Sequence, residues 1–226
     1  MKFFYNFLII YIFLTSFYFY SKNFKNFDHF VSTIFKLLLN YLGYKVVPFN
    51  LYELPSKIII IGSHTSIYDF IIGTIFYYAY LHERYSTYVL MKKNFEKIVR
   101  PFLYFFSSKF KLISVDKSNS KKNGLGITKS ITDSLKDETN YVIFIAPEGT
   151  RRCVENIRTG YWIISKNLNA SIAYLGIDFS SKDIIFENPR LPFESFDDEK
   201  EEFIKSCKKY VPIYPERCFW TKDFYE

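Results

Sequence analysis

The sequence predicts an α/β fold, a mostly parallel sheet flanked by helices, and two observations lead there. From Tyr44 onward short apolar runs alternate with helix-length patterns, the signature of strand–helix–strand units. Several of the runs are apolar at every position instead of at alternate ones, as strands covered on both faces must be. No internal repeat interrupts this order. At 226 residues the chain can bury one sizeable core, which suits one domain with appendages.

The first element precedes that alternation. Residues 3–20, FFYNFLIIYIFLTSFYFY, carry no charge and are bracketed by Lys2 and by Lys22 and Lys25. A helix crossing a bilayer core takes about 20 apolar residues, so this run predicts a membrane-associating helix. Its Tyr and Phe density, with Asn6, Thr15 and Ser16, suits a helix at the interface as well as one that spans. A secretory signal would show a shorter apolar core and a small-residue cleavage site, and the run has neither. Lysines at both ends leave the orientation open. Between Phe24 and Leu42, Phe27, Val31, Ile34, Phe35, Leu38 and Leu42 recur at three- and four-residue steps, one face of an amphipathic helix. That face predicts a helix packed on the domain, with a second membrane-facing helix as the alternative. The division expected is 1–43 for N-terminal membrane-associating helices and 44–226 for the domain.

Within the domain, strands are predicted at 57–61, 87–91, 111–115, 141–146 and 171–177, with a weaker one at 183–186. Helices are predicted near 66–80, 95–106, 124–136 and 160–168. The stretch 116–124, DKSNSKKNG, reads as a basic loop, and DDEKEE at 197–202 as the start of a solvated helix. Aromatics reach 21% through 26 Phe and 20 Tyr, alongside abundant Ile, Lys and Asn, a bias that stops any aromatic cluster from marking a site by itself. A net charge of +7 suits anionic partners. Cys153, Cys207 and Cys218 are odd in number and lack zinc-ligand spacing, which argues against a disulfide framework and for a reducing compartment.

Two polar turns carry the chemistry. IIIIGSHTSIYDF, 58–70, runs an apolar strand into a turn with His64, and Ser66 is a plausible cap for the helix that follows. Asp69 then falls in the first helical turn. A carboxylate on one imidazole nitrogen fixes the tautomer and leaves the other nitrogen free to accept a proton. The same Ser66 and Asp69 equally satisfy a capping box. VIFIAPEGTRR, 142–152, repeats the design: Pro147 stops a strand, Gly149 permits a tight turn, and Arg151 and Arg152 sit where a phosphate can be held. In a parallel sheet both turns leave the carboxyl edge, where ligands gather.

HTSIYD resembles the His-x4-Asp block of the 1-acylglycerol-3-phosphate acyltransferase family, including its usual serine, and PEGTR matches that family's other diagnostic block downstream. LISVDKS is similar to the middle block, and IRTGYWIISKNLNASIAYLGIDF to the helix and strand beyond. The resemblance covers roughly 44–190, with YPERC near the end as a further candidate. It implies an acyltransferase domain in which His64 is the general base and Asp69 its orienting carboxylate. The acyl donor is acyl-CoA or an acyl-carrier protein, a co-substrate in a reaction with no metal and no other cofactor. Glu148 and Gly149 shape the acceptor pocket, Arg151 pairs with the acceptor phosphate, Ser66, Lys117 and Thr150 are further substrate-binding residues, and Arg158 gives structural or electrostatic support. The implied partners are membrane lipids and a lysophospholipid acceptor, and the implied location is a membrane with the domain facing the cytosol.

The chain departs from the family pattern in places. Lys117 replaces the usual arginine, keeping charge without the fork; Lys111 and Leu112 replace a glycine pair; and SIAYL lacks the last block's prolines. These changes leave open a lipid-binding or remodelling relative without ordinary acyl-CoA activity. Charge alone would support a nucleic-acid binder, but no readout module is visible. A hydrolase of the commonest kind needs a Gly-x-Ser-x-Gly elbow, which the sequence lacks.

Overall fold

The computed structural model describes residues 27–92, 109–115 and 124–218, which form a seven-stranded sheet with helices on both faces. In chain order the elements are α1 (Phe27–Tyr41), β1 (Lys45–Val46), β2 (Lys57–Ile61), α2 (Ile67–Phe76), β3 (Ser86–Lys92), β4 (Phe110–Val115), α3 (Gly124–Leu135), β5 (Tyr141–Ile145), α4 (Gly160–Leu168), β6 (Ser171–Ile177), β7 (Asp183–Phe186) and α5 (Phe196–Cys207). The sheet order is β1-β7-β6-β2-β5-β3-β4. The run from β6 to β4 is parallel throughout, β7 lies antiparallel to β6, and β1 joins β7 in parallel. The expected mostly parallel sheet is present, with one reversed edge. β1 is two residues long, too short for any periodicity, and hydrogen bonds from Lys45 N to Lys182 O and from Val47 N to Ile184 O hold it.

Strand β2 explains its four isoleucines. Ile58 and Ile60 join the core under α1 and α2, while Ile59 and Ile61 join the core under α3, α4 and α5. Successive strand residues point to opposite faces, so a strand between two helical layers needs an apolar side chain at every position. Burying each is worth about 1.5–3 kcal/mol, which makes β2 a firm mount for whatever follows it.

Helix α1 carries the stripe read between 24 and 42. Val31, Phe35 and Leu39 are buried, Ser32 Oγ donates to Ala79 O at 2.6 Å, and the Phe35 ring stacks on Tyr78 at 4.8 Å. Leu37 and Tyr41 are exposed. Helix α2 passes directly into a π-helical turn, Tyr77–Leu81. Sequence periodicity reads the two as one helix over 66–80, because one widened turn displaces the pattern too little to register. The predicted helices over 3–20 and 95–106 lie outside the described residues, as does the predicted loop 116–124 with Lys117 except for Gly124, which opens α3. Among the described residues no helix is long and apolar enough to cross a membrane.

Helix α5 departs from expectation. DDEKEE reads as solvated, yet Glu199 is 0% exposed. Arg190 donates Nη1 to Oε2 and Nη2 to Oε1, each at 3.1 Å. Tyr174 OH donates to Oε1 at 2.7 Å and Phe193 N to Oε2 at 3.1 Å. A carboxylate given charge-assisted donors on both oxygens has replaced its water shell, so burial costs it little.

Candidate functional site

The turn after β2 is built by a close backbone approach. A Cβ at Gly62 would lie 2.5 Å from Leu175 O, so any side chain there would push the end of β2 away from β6 and move His64. Ser66 then caps α2: its Oγ accepts from Tyr68 N at 3.2 Å, and the Asp69 carboxylate reaches back to the N-cap backbone. Asp69 Oδ2 accepts from Thr65 N and Ser66 N, both at 2.7 Å, and stands 3.5 Å from His64 Nδ1. The capping and catalytic readings of these residues are therefore compatible in one geometry. Two backbone N–H groups fix the carboxylate, and the carboxylate faces one imidazole nitrogen at a distance longer than a hydrogen bond. Nε2 is left as the nitrogen that can take a proton. His64 is 27% exposed and Asp69 11%, so the pair is half-buried and within reach of a substrate.

The turn after β5 emerges beside it, since Ile61 and Ile145 are register partners. Gly149 has φ of +62°, a left-handed conformation that favours glycine, and the Arg158 guanidinium lies against it, 3.1 Å from where a Cβ would be. Arg158 N also donates to Pro147 O at 3.0 Å, closing the loop. Thr150 Oγ1 accepts from Arg152 N at 3.3 Å. Arg151 and Arg152 are exposed. Glu148 is the opposite, 4% exposed, and its Oε2 has no hydrogen-bond partner among the described residues. Burial pushes its carboxyl above the usual range, and the neighbouring Ser63 hydroxyl, His64 imidazole and nearby backbone N–H groups only partly oppose this. Thr65 Oγ1 is also buried with no hydrogen-bond partner among the described residues.

The His64 turn has a different neighbour on each face of the sheet. On the α2 side lies a cavity of about 140 Å³. Ser63, His64 and Asp69 contribute polar lining, and Ile60, Phe70, Val89, Phe110, Phe144 and Leu175 contribute apolar walls. Tyr77 also lines it, with its hydroxyl occupied by Tyr85 O at 2.9 Å. Gly73 leaves room in α2: a Cβ there would meet nothing nearer than Leu175 Cδ2 at 4.0 Å.

On the opposite face the chain after α5 straps the turn. Ser63 N donates to Tyr210 OH at 3.5 Å, the Tyr210 hydroxyl donates to Cys207 Sγ at 3.4 Å, and Arg217 Nη1 donates to Thr65 O at 3.2 Å. The Tyr210 ring requires Gly176, where a Cβ would lie 2.3 Å from it. Asp178 anchors the strap by accepting Val211 N at 3.0 Å. Burial alone would raise the Asp178 carboxyl, but donors from Ser180, Ser181 and Val211 hold it down at about 2.

Of the residues expected at the site, His64, Ser66, Asp69, Glu148, Gly149, Thr150, Arg151 and Arg158 fall on these two adjacent turns, and Lys117 lies outside the described residues. Lys111, which replaces a glycine, is engaged by Tyr88 OH at 2.8 Å and Glu138 at 3.2 Å on β4. Sequence reasoning missed Tyr210 and reached Arg217 only as part of YPERC, with no role assigned; for Tyr210 a glycine inside a strand, Gly176, was the signal that something approaches there.

An α/β domain thus sets a histidine–carboxylate pair beside an apolar cavity, with exposed arginines on the neighbouring turn. The chain belongs to the acyltransferase family, the family of 1-acylglycerol-3-phosphate acyltransferases, whose model matches residues 47–192, both turns included. It is an acyltransferase, and transfer to a lipid acceptor is what the family supports. No curated protein and no solved structure matches it.

Proposed function

We propose that the enzyme moves a fatty acyl group from acyl-CoA or an acyl-carrier protein to the free hydroxyl of a lysophospholipid, with 1-acylglycerol 3-phosphate as acceptor. The observation that carries this reading is the junction of His64 with an apolar cavity on one side and guanidinium groups on the next turn. His64 Nε2 takes the acceptor's hydroxyl proton while Asp69, fixed by two backbone N–H groups, stabilises the imidazolium. The acceptor oxygen attacks the thioester carbonyl carbon. The C–S bond then breaks, and the leaving sulfur takes the proton back from His64. Arg151 holds the acceptor phosphate, Glu148, Gly149 and Thr150 shape its pocket, and Lys117 and Arg158 add positive charge. The thioester is a co-substrate, and the step draws on no metal or prosthetic group. The apolar run 3–20 brings the domain to a membrane surface, where acceptor and product reside, and the three free thiols suit a cytosol-facing site.

The test is acyl transfer from radiolabelled oleoyl-CoA, and from an oleoyl-carrier protein, to a panel of lysophospholipids and glycerol 3-phosphate. Wild type forms product with a phosphate-bearing acceptor, and His64→Ala loses about 10³-fold in kcat with its unfolding temperature unchanged. Equal rates for the two proteins would sink the base assignment. Retained lysolipid binding without transfer from either donor would favour the lipid-binding alternative.

A further inference from the structure

The described arginines divide by what their guanidinium groups are doing. Arg84 is consumed by the carbonyls of Leu51 and Leu54, at 2.8 and 2.7 Å. Arg190 is consumed by the buried Glu199. Arg151 and Arg152 are exposed on the turn after β5, and Arg158 lies along that turn's glycine. Arg217 is a further case. It comes from a 3-10 turn, Pro215–Arg217, beyond the family-matched segment, and it reaches the other turn, the one that holds His64.

Arg217 is positioned and yet has donors to spare. Nη1 donates to Thr65 O at 3.2 Å, one residue from His64, and the guanidinium lies 3.9 Å above the Tyr214 ring. The ring fixes its plane and the carbonyl fixes its direction. Its nearest acid is the neighbouring Glu216, at 3.9 Å from Nε, beyond hydrogen-bond range. With the side chain 42% exposed, the remaining N–H groups have no acceptor among the described residues. A guanidinium presents five donors in a rigid fork that matches a phosphate, and a held fork loses less freedom on binding than a loose one.

We infer that Arg217 is a second phosphate-binding residue of this site, holding a phosphate of the acceptor or of the CoA donor against the His64 turn. It rests on the acyl-transfer reading only for the identity of the phosphate carrier, and it gives that reading a cation beside the His64 turn as well as on the turn after β5. The strap that carries Arg217 thereby becomes part of the substrate site as well as its support.

The experiment is calorimetric titration with glycerol 3-phosphate and, separately, with coenzyme A, so that no turnover is needed. The proteins are wild type, Arg217→Ala, Arg217→Lys and Arg151→Ala, each with its unfolding temperature measured. Arg217→Ala should weaken one of the two ligands by about tenfold or more, and the ligand affected names the phosphate. Arg217→Lys should recover part of the loss, since charge returns without the fork. Arg151→Ala should weaken glycerol 3-phosphate whichever ligand Arg217 holds. Unchanged affinities in Arg217→Ala would overturn the inference, as would wild type that binds neither ligand. So would a parallel fall in both affinities and in stability that lysine does not rescue, the mark of a strap residue alone. Should Arg217→Ala fail to fold, Arg217→Gln takes its place under the same criteria. Absence of acyl transfer by wild type that binds glycerol 3-phosphate through Arg217 would break the proposed function and leave this inference standing.

Discussion

Two buried carboxylates in this molecule have opposite surroundings. Glu199, on α5, is met by four donors from Arg190, Tyr174 and Phe193, and both its oxygens are satisfied. Glu148, on the turn after β5, is nearly as buried, yet one of its oxygens has no partner among the described residues. The first resembles a completed joint and the second an open socket. Burying an acid beside His64 without saturating it costs stability, and the cost is confined to the carboxyl edge of the sheet. Where a fold tolerates such a group, the local arrangement serves something other than folding. Other buried polar atoms without partners among the described residues, such as Thr87 Oγ1, Tyr141 OH and Tyr161 OH, belong to neutral groups, and Glu148 is the carboxylate among them.

The comparison is broken most directly by emptying the completed joint. Glu199→Ala leaves the Arg190 guanidinium without its counter-ion and should cost about 3 kcal/mol of stability, read from chemical denaturation. Its turnover per folded molecule should stay at the wild-type level, because Glu199 lies off both site turns. A lost rate with intact stability would place Glu199 in the site and erase the distinction.

Asp178→Ala is the intermediate case, since Asp178 is saturated like Glu199 but holds the strap under the site. The loss should be about 1–3 kcal/mol, accompanied by a lower kcat as Tyr210 and Arg217 lose their mooring. Its pH dependence has a definite sign. The folded value, about 2, lies below the ordinary 3.8, so its stabilisation is fully present above that ordinary value and fades as pH falls toward 2. The difference between wild type and Asp178→Ala should shrink over that window, measured by denaturation at stepped pH. A constant difference would detach the effect from the carboxylate.

Glu148→Gln should act in the other direction and by least. Removing the ionisable oxygen should raise stability by about 1 kcal/mol at pH 8. Because the folded carboxyl is raised above its ordinary 4.5, wild type loses stability as pH climbs from there through the folded value. The advantage of the glutamine should therefore be smallest below 4.5 and largest at the alkaline end. A destabilised Glu148→Gln at pH 8 would show that the socket has a structural donor after all.

Much of this was legible in the sequence because it is local. Unbroken apolar runs gave the strands expected over 57–61, 141–146 and 171–177, the second one residue longer than the observed β5, and three- and four-residue steps gave α1. The His64 and PEGTR turns were visible because a strand end, a cap and a glycine are all short-range signals. What could not be read is set by distance along the chain. Tyr210 meets Ser63 across 147 positions and Arg217 meets Thr65 across 152, and no period links them. Glu199 looked solvated because its neutralising partners sit on β6 and in the segment before α5. Strand β1 exists only because β7 offers it an edge.

The strap also sets a clock. His64 is translated early, and the residues that secure its turn follow it by some 150 positions, an interval of about 7–30 s at 5–20 residues per second. Throughout that time the nascent polypeptide carries His64 in a turn that nothing yet braces from behind. The brace arrives only with residues 207–217, so a message cut short before Cys207 would yield a domain with the whole family-matched segment, 47–192, and an unsecured turn.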